Sequence, residues 1–337
     1  ICPISSITGE GFDPFYETLC HLLESIQPRR LSGVFRLPVD RAFSARGFGT
    51  VVAGVPTCGS AKVDDEVVLL PQGLQGRIRQ VEVYGRASDL VKAGQCAAVN
   101  MRHWNASQIR RGHVLTLPGY FEPHEWFVAR LGLLPKEKLV LKSGTHLKLH
   151  TGTTEVLVTI YLLEHDPMTA GEKALVQFRV PRGLVAGPGD PFIVRLPSPA
   201  RTIGGGMLIE GGSRRLKRNR PGVMETVREC AAAVGDEQQF VTFSVRNASS
   251  GAISGAELSV RTKIQPEPLR KILSDLAQQD TAVELQPDLY IHCDTLADLC
   301  GRVLKCVDRV HEESPESPGM LVDDLQKAVR LDRTVSG

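Results

Sequence analysis

The sequence lacks the patterns that several enzyme, metal and membrane classes require. No apolar run approaches the ~18 residues of a transmembrane helix. No C-x-x-C pair occurs among the eight cysteines, so zinc-ribbon spacing is excluded. The motifs G-x-S-x-G and H-E-x-x-H are absent, and no Cys/His set has metal-ligand spacing. The sequence therefore predicts no catalytic residue and no metal site.

Neither sign of charge dominates the chain. Forty Lys+Arg against thirty-eight Asp+Glu give a net charge of +2, so any polyanion site must be a local concentration of charge. The scattered cysteines favour reduced thiols in a cytoplasm over a disulfide framework. The N-terminus has no secretory signal and Ile1 is not an initiator Met, so we expect a processed chain or a fragment. We expect it to be cytoplasmic and monomeric, without a membrane partner.

The first segment, residues 1–28, pairs a short apolar piece with an amphipathic helix. Asp13 is the expected N-cap and Pro14 the first helical residue. One strand and one helix cannot bury a core, so we interpret the segment as the end of an α/β domain.

The rest of the chain divides into three parts that differ in residue pattern. Short β-type runs broken by Gly and Pro, with no intervening helices, predict two β-barrels or sandwiches over residues 31–118 and 119–212. A basic stretch over residues 213–222 follows. Residues 223–293 then show the order of elements of a winged helix. A weaker repeat of the same pattern over residues 294–337 predicts a second, partial winged helix.

The basic stretch "SRRLKRNRPG" allows two interpretations. It is either a solvated linker between domains or a linker that also lies against nucleic-acid phosphate. Its cationic residues are Arg214, Arg215, Lys217, Arg218 and Arg220.

A second basic stretch, "FRLPVDRAFSARGFGTVVAG" at residues 35–54, contains a Gly-x-Gly beside positive charge. A phosphate loop of the Walker or dinucleotide type must open a helix. Here Gly49 is followed by Thr-Val-Val-Ala-Gly, in which no helix begins. We therefore predict a hairpin or bulge between strands.

Three motifs in order resemble the elongation factor Tu superfamily of translational GTPases. "SSITGEG", with Ser5 and Ser6, resembles the last guanine-nucleotide motif. "VDRAFSARGFGTVVAG" is similar to the start of the domain II barrel, and "PARTIGGGMLIEG" to the final strands of domain III. Within the superfamily, a basic linker leading into tandem winged helices resembles the bacterial selenocysteine-specific elongation factors.

The resemblance implies a function in translation. Members deliver selenocysteyl-tRNA to the ribosome at recoded UGA codons, and their winged-helix arm binds an mRNA hairpin. The parent protein is expected to be a GTPase that uses GTP and Mg²⁺. This chain would supply the tRNA-binding barrels and part of the arm, with no cofactor of its own.

The resemblance also implies a pocket for the selenocysteyl group. Asp40 and Arg41 match the family's pocket Asp and Arg, and Asp40 could orient Arg41 by a charge-assisted hydrogen bond. A selenol is largely ionised near neutral pH and a serine hydroxyl is not, so fixed positive charge would favour the selenolate. Cys96 stands where the family has a second pocket arginine, which leaves Arg102 or a single-cation pocket as possibilities. The alternative is an exposed ion pair on a barrel rim.

Further tRNA contacts are implied at Arg46, Thr202 and Gly204. At Thr202 and Gly204, small residues would allow close approach to a ribose-phosphate chain. Gly205 and Gly206 could instead form a structural bulge.

Acidic residues dilute the charge of the first winged helix, which favours a spacer over an RNA reader. Its cations are Arg261, Lys263, Arg270 and Lys271, and the acids around them are Glu257, Glu267 and Asp275. The main rival is a nucleic-acid-binding regulator in which winged helices read DNA and the barrels sense a ligand. A third reading is another superfamily GTPase with an unrelated helical tail.

Overall fold

The computed structural model describes residues 1–26, 30–45, 49–135, 139–313, 315–316, 319–321 and 324–325. Helix α1, Phe12–Ser25, begins one residue before the expected N-cap Asp13. Gly11 takes the N-cap position with a φ of 81°, and no side chain caps the helix. No residue of α1 is buried, although its apolar residues recur at helical spacing.

The first barrel closes six strands around one core. Strand β4 pairs with β5 and completes the ring β4-β9-β1-β2-β8-β5, while β6 extends β5 and β3 pairs with β7. The strands are β1 Arg36–Ala45, β2 Gly49–Gly54, β3 Ser60–Lys62, β4 Glu66–Leu70, β5 Leu74–Val83, β6 Arg86–Ser88, β7 Leu90–Lys92, β8 Ala97–Met101 and β9 Val114–Thr116.

Strands β1 and β2, on either side of residues 46–48, pair as antiparallel neighbours. Ala45 of β1 is paired with Gly49 of β2, so the chain reverses here and opens no helix. Gly49 has a φ of 88°, which an L side chain rarely adopts. The prediction of a barrel turn in place of a phosphate loop is confirmed. Residues 46–48 lie outside the described residues.

The second barrel is closed in the order β10-β13-β12-β11-β14-β15. Its core contains the edge-to-face pair Phe178 and Phe192, whose ring centroids are 5.3 Å apart. The strands are β10 His124–Leu133, β11 His146–Thr151, β12 Thr154–Leu162, β13 Lys173–Leu184, β14 Pro191–Leu196 and β15 Arg201–Gly212. The two barrels predicted from the sequence are confirmed.

The glycines of β15 allow neighbouring backbones to approach closely. A Cβ at Gly206 would lie 1.8 Å from the carbonyl oxygen of Arg130, whereas a Cβ at Gly212 would meet nothing within 4 Å. We expect Gly206→Ala to lower the free energy of unfolding by about 1–3 kcal/mol, because the β10 backbone must move. The matched control Gly212→Ala should change it by less than about 0.5 kcal/mol. Urea unfolding followed by Trp126 fluorescence measures both, and equal effects would contradict the assignment.

After the barrels the chain becomes mostly helical and forms a small sheet in the order β16-β18-β17. Helix α4 begins with a capping box between Ser254 and Glu257, and α5 has a proline in its first turn. The elements are α2 Val223–Ala233, α3 Glu237–Arg246, β16 Ala252–Ser254, α4 Gly255–Thr262, α5 Pro266–Gln278, β17 Ala282–Gln286, β18 Leu289–His292 and α6 Cys293–Glu313.

Helix α3 through strand β18 follow in the order expected of a winged helix, with a tight turn at Asp288 between the last two strands. Most of the predicted second unit after α6 falls outside the described residues. Among the described residues, no helix is long and apolar enough to cross a membrane.

Candidate nucleic-acid interface

Arg41 lies at one end of a row of residues on the outer face of the first barrel. The strand register pairs Arg41 with Ala53 and Ala53 with Ala98. The alternate residues of β2 and β8 point into the core, so both alanines lie on the outer side of these strands, where Ala98 is half-buried and Ala53 is 9% exposed. Strands lie about 4.8 Å apart, which places Ala98 about 10 Å from Arg41. The row therefore forms a shallow, methyl-floored surface with a guanidinium at one side.

The Arg41 guanidinium is exposed and has no ion-pair partner among the described residues. Its positive charge is thus available to an external anion. Because the site is open to solvent on its own, a second surface would have to cover it before the charge could act in a partly desolvated pocket.

Asp40 pairs with Arg111 and does not orient Arg41 as the sequence suggested. A β-bulge between Val39 and Arg41 takes Asp40 out of the strand register. The Asp40 carboxylate lies 2.8 Å from Nη1 of Arg111, and both side chains are at least half exposed. A second cation, Arg111, therefore lies beside Asp40 and Arg41. The sequence did not indicate it, because Arg111 is distant along the chain and belongs to no recognised motif.

Cys96 and Arg102 lie at opposite ends of β8. Cys96 is exposed and two residues before Ala98, so it lies at the side of the row. Arg102 follows the last residue of the strand, about 20 Å from Cys96 at about 3.3 Å per residue. That distance exceeds the length of an arginine side chain. Arg111, not Arg102, is thus the additional cation that contacts this part of the barrel.

The residues of the β15 edge divide into one accessible and one buried position. Thr202 is half-buried and pairs with Arg195 of β14. Gly204 is buried, and a Cβ there would lie 2.4 Å from the carbonyl oxygen of Gly132. A bulge in the β14–β15 register lies beside it. Gly204 therefore allows two strands to pack closely, as the sequence analysis suggested for Gly205 and Gly206. Of the two predicted tRNA contacts on β15, only Thr202 is accessible to solvent.

The remaining predicted residues are placed as follows. Ser5 accepts a hydrogen bond from the backbone N–H of Thr8 at 3.2 Å, and its own N–H donates to the carbonyl of Glu10 at 3.0 Å. Ser6 is exposed. Arg46 lies outside the described residues. No group of three His, Cys, Asp or Glu residues could hold a metal ion within the part of the chain that the structure describes.

The basic linker is docked on the second barrel. The buried amide of Gln177 donates to the carbonyl of Arg214 at 3.2 Å and accepts from the N–H of Leu216 at 3.0 Å. Leu216 packs against the apolar cluster between this barrel and α2. The five cationic side chains of the linker remain exposed. The chain thus presents an ordered basic strip.

A buried ion pair joins the two barrels. Arg36 of β1 donates through both terminal nitrogens to the carboxylate of Asp190, and its Nε donates to Thr57 at 3.1 Å. The guanidinium also lies 5.1 Å from the ring centroid of Phe121. Burial alone would lower the pKa of Arg36, but the Asp190 carboxylate outweighs it and raises that pKa. No sequence signal linked these residues.

Two cations at the C-terminal end of α4 contact the barrel part of the chain. Lys263 donates to the carbonyl of Tyr120 and lies 4.9 Å from the Phe121 ring centroid; burial lowers its pKa to about 8. Arg261 lies 3.4 Å from the carboxylate of Glu210. Both are therefore engaged in contacts within the chain, whereas Arg270 and Lys271 of α5 are exposed.

Comparison with known proteins connects this architecture to one family. The family model described as "Selenocysteine-specific elongation factor, beta-barrel domain" matches residues 128–215, which are the second barrel and the start of the linker. The selenocysteine-specific elongation factor of Desulfomicrobium baculatum is 32% identical over 322 residues, covering 95% of this chain and 50% of that protein. The chain belongs to the selenocysteine-specific elongation factor family.

Other relatives agree with this family membership. The selenocysteine-specific elongation factor of Escherichia coli (strain K12) is 24% identical over 92% of this chain and 47% of its own length. The crystal structure of the bacterial selenocysteine-specific elongation factor EF-Sec matches with a TM-score of 0.68 at 20% identity. The match covers 96% of this chain and 50% of the EF-Sec chain. The latter match shows the fold. The chain spans about half the length of the selenocysteine-specific elongation factors that it matches.

Proposed function

We propose that this chain is the tRNA-binding body of an elongation factor that delivers selenocysteyl-tRNA to the ribosome at recoded UGA codons. The exposed Arg41 guanidinium beside the alanine-floored row of the first barrel is the observation that carries the proposal. At neutral pH it would attract a selenolate and give no comparable advantage to a neutral serine hydroxyl. The family membership gives the chemical identity of the anion.

The proposal assigns a role to each part of the chain. Residues 1–28 would belong to the GTP-binding domain, residues 31–118 and 119–212 to translation domains II and III, and residues 213–222 to a phosphate-facing linker. Residues 223–293 would form the first winged helix of an arm that reaches an mRNA hairpin, with a second unit in residues 294–337. The setting would be the cytoplasm.

GTP and Mg²⁺ are the cofactors that the family implies for the whole protein. Ser5, whose position matches the guanine motif, has its hydroxyl engaged by the backbone of Thr8. No glycine-rich loop that opens a helix and ends in Lys-Ser/Thr occurs in the sequence. The residues of this chain do not by themselves fit the nucleotide, so nucleotide chemistry is not assigned to them.

The proposal is tested by comparing two classes of nucleic acid. We expect the chain, in the longest polypeptide that its gene encodes, to bind selenocysteyl-tRNA with a lower Kd than a duplex DNA of equal charge. Filter binding at 150 mM salt measures both, since weaker salt exaggerates nonspecific contacts. Tighter binding to DNA would favour the winged-helix regulator and contradict the proposal.

A further inference from the structure

Two aromatic rings and two arginines form a cluster on the outer face of the second barrel. The rings of Trp126 and Tyr161 have centroids 5.6 Å apart, with 39° between their planes. Arg215 lies 4.1 Å from the Tyr161 centroid, and Arg179 lies 6.0 Å from that of Trp126. Both rings are half-buried and both arginines are exposed. We call these four residues the Arg–aromatic ladder.

The strand register and the docked linker bring the ladder together. Arg179 pairs with Trp126 across β13 and β10, and Gln177, two residues away on the same face of β13, pairs with Tyr161 of β12. Gln177 is only 2% exposed and bonds the linker backbone on both sides of Arg215. A buried side chain thus holds the linker backbone on both sides of Arg215. The ladder is organised before any partner binds.

The charges of the ladder are not neutralised within the chain. Neither Arg179 nor Arg215 forms an ion pair with any residue that the structure describes. A further linker cation, Arg218, lies nearby, because its Nη1 contacts the carbonyl of Leu162 at 3.4 Å, next to Tyr161. The surface therefore combines aromatic faces with guanidinium groups that have no anionic partner among the described residues.

Unpaired RNA uses both features of such a surface. Bases stack on aromatic rings and on guanidinium planes, and the flanking phosphates bind arginine. A paired A-form helix hides its base faces, and an acidic peptide would use the arginines but not the rings. We propose that the ladder stacks an unpaired base of a bound RNA and holds its neighbouring phosphates. This inference rests on the proposed function only in that RNA is the partner.

The first test separates stacking from charge. The probe is a ten-nucleotide oligoadenylate, titrated while Trp126 fluorescence is followed in a Trp104→Phe background. We expect quenching on binding, about tenfold weaker binding by Tyr161→Leu, and unchanged binding by the conservative control Tyr161→Phe. Arg215→Ala should reduce the slope of log K against log salt by about 0.7, whereas Tyr161→Leu should leave that slope unchanged.

Several results would overturn the proposal. Wild-type affinity in Tyr161→Leu, or a fully paired RNA duplex that competes as well as the oligoadenylate, would show that no base stacks. Equal competition by polyglutamate of matched charge would assign the ladder to an acidic protein. Far-UV circular dichroism of each variant confirms that it is folded, so lost binding cannot be attributed to unfolding.

The same variants keep this proposal distinct from the proposed function. If selenocysteyl-tRNA binds normally and oligoadenylate binding does not depend on the ladder, the ladder proposal fails while the function stands. If oligoadenylate binding depends on the ladder but selenocysteyl-tRNA does not bind, the ladder stands and the function fails.

Discussion

Replacing Asp190 by alanine is expected to lower the free energy of unfolding by about 3–5 kcal/mol. The substitution leaves the Arg36 guanidinium buried at the junction of the barrels without its bidentate partner. Arg36 is only 6% exposed, so water cannot readily take over the lost hydrogen bonds. The Asp190→Ala substitution also removes the acceptor of the Gly187 N–H, which lies 2.7 Å from the Asp190 carboxylate. The loss should fall on the contact between the barrels.

Urea unfolding followed by intrinsic fluorescence measures this effect in both barrels. The chain has two tryptophans; Trp104 lies in the core of the first barrel and Trp126 lies on the second. Trp104→Phe and Trp126→Phe backgrounds therefore report each barrel separately. In the wild type we expect the two barrels to unfold at similar urea concentrations, and in Asp190→Ala at lower and separate ones.

Two control variants distinguish burial from ion pairing as such. Glu66→Ala removes an exposed ion pair, in which the Arg77 side chain is 61% exposed and that of Glu66 is 66% exposed. It should lower the free energy of unfolding by less than about 1 kcal/mol. The double variant Arg36→Met/Asp190→Leu should recover most of the lost stability, because it leaves no buried charge. Equal losses in Asp190→Ala and Glu66→Ala would contradict the role given to the buried pair.

The second large effect is expected for Arg41→Ala on tRNA selection. A hydrogen bond to a charged group contributes about 1.5–3 kcal/mol, which corresponds to roughly a 10- to 150-fold loss of affinity for selenocysteyl-tRNA. Affinity for seryl-tRNA on the same tRNA body should change little, because the serine hydroxyl carries no charge. Kd values from filter binding or from protection of the aminoacyl ester against hydrolysis give the comparison.

Arg102→Ala is the matched control for this variant. Arg102 is an equally exposed arginine of the first barrel, but it lies at the far end of β8 from the alanine-floored row. It should leave the preference for selenocysteyl-tRNA unchanged. A similar loss in both variants would indicate a general effect of barrel charge. Arg111→Ala, which removes the partner of Asp40, should fall between them.

The barrels were predictable because their signals are local. Alternating β-type runs and turn residues are contained within ten residues or so, and the hairpin at Gly49 follows from β-branched residues directly after it. The order of helices and strands after the linker was predictable for the same reason, because apolar spacing and turn residues mark each element locally. The prediction of Asp13 as the N-cap of α1 was wrong, because Gly11 takes that position in a left-handed conformation and no side chain caps the helix.

The site was less predictable because its contacts are long-range. Asp40 of β1 meets Arg111, which lies shortly before β9, and Arg36 of β1 meets Asp190 across the contact between the two barrels. The same holds for Gly204, which motif reasoning placed at an RNA-facing edge and the structure packs against Gly132. A motif gives the type of residue, but only the packed backbone decides whether its side chain faces solvent.

The most direct test of the central claim is the ratio of affinities for selenocysteyl-tRNA and seryl-tRNA, measured from pH 7.5 downward on one tRNA body. We predict tighter binding of selenocysteyl-tRNA at pH 7.5 and convergence of the two affinities once the selenol is protonated, because Arg41 then faces two neutral side chains. Equal affinities at pH 7.5, or a preference that persists after the selenol is protonated, would contradict recognition of the selenolate by fixed positive charge.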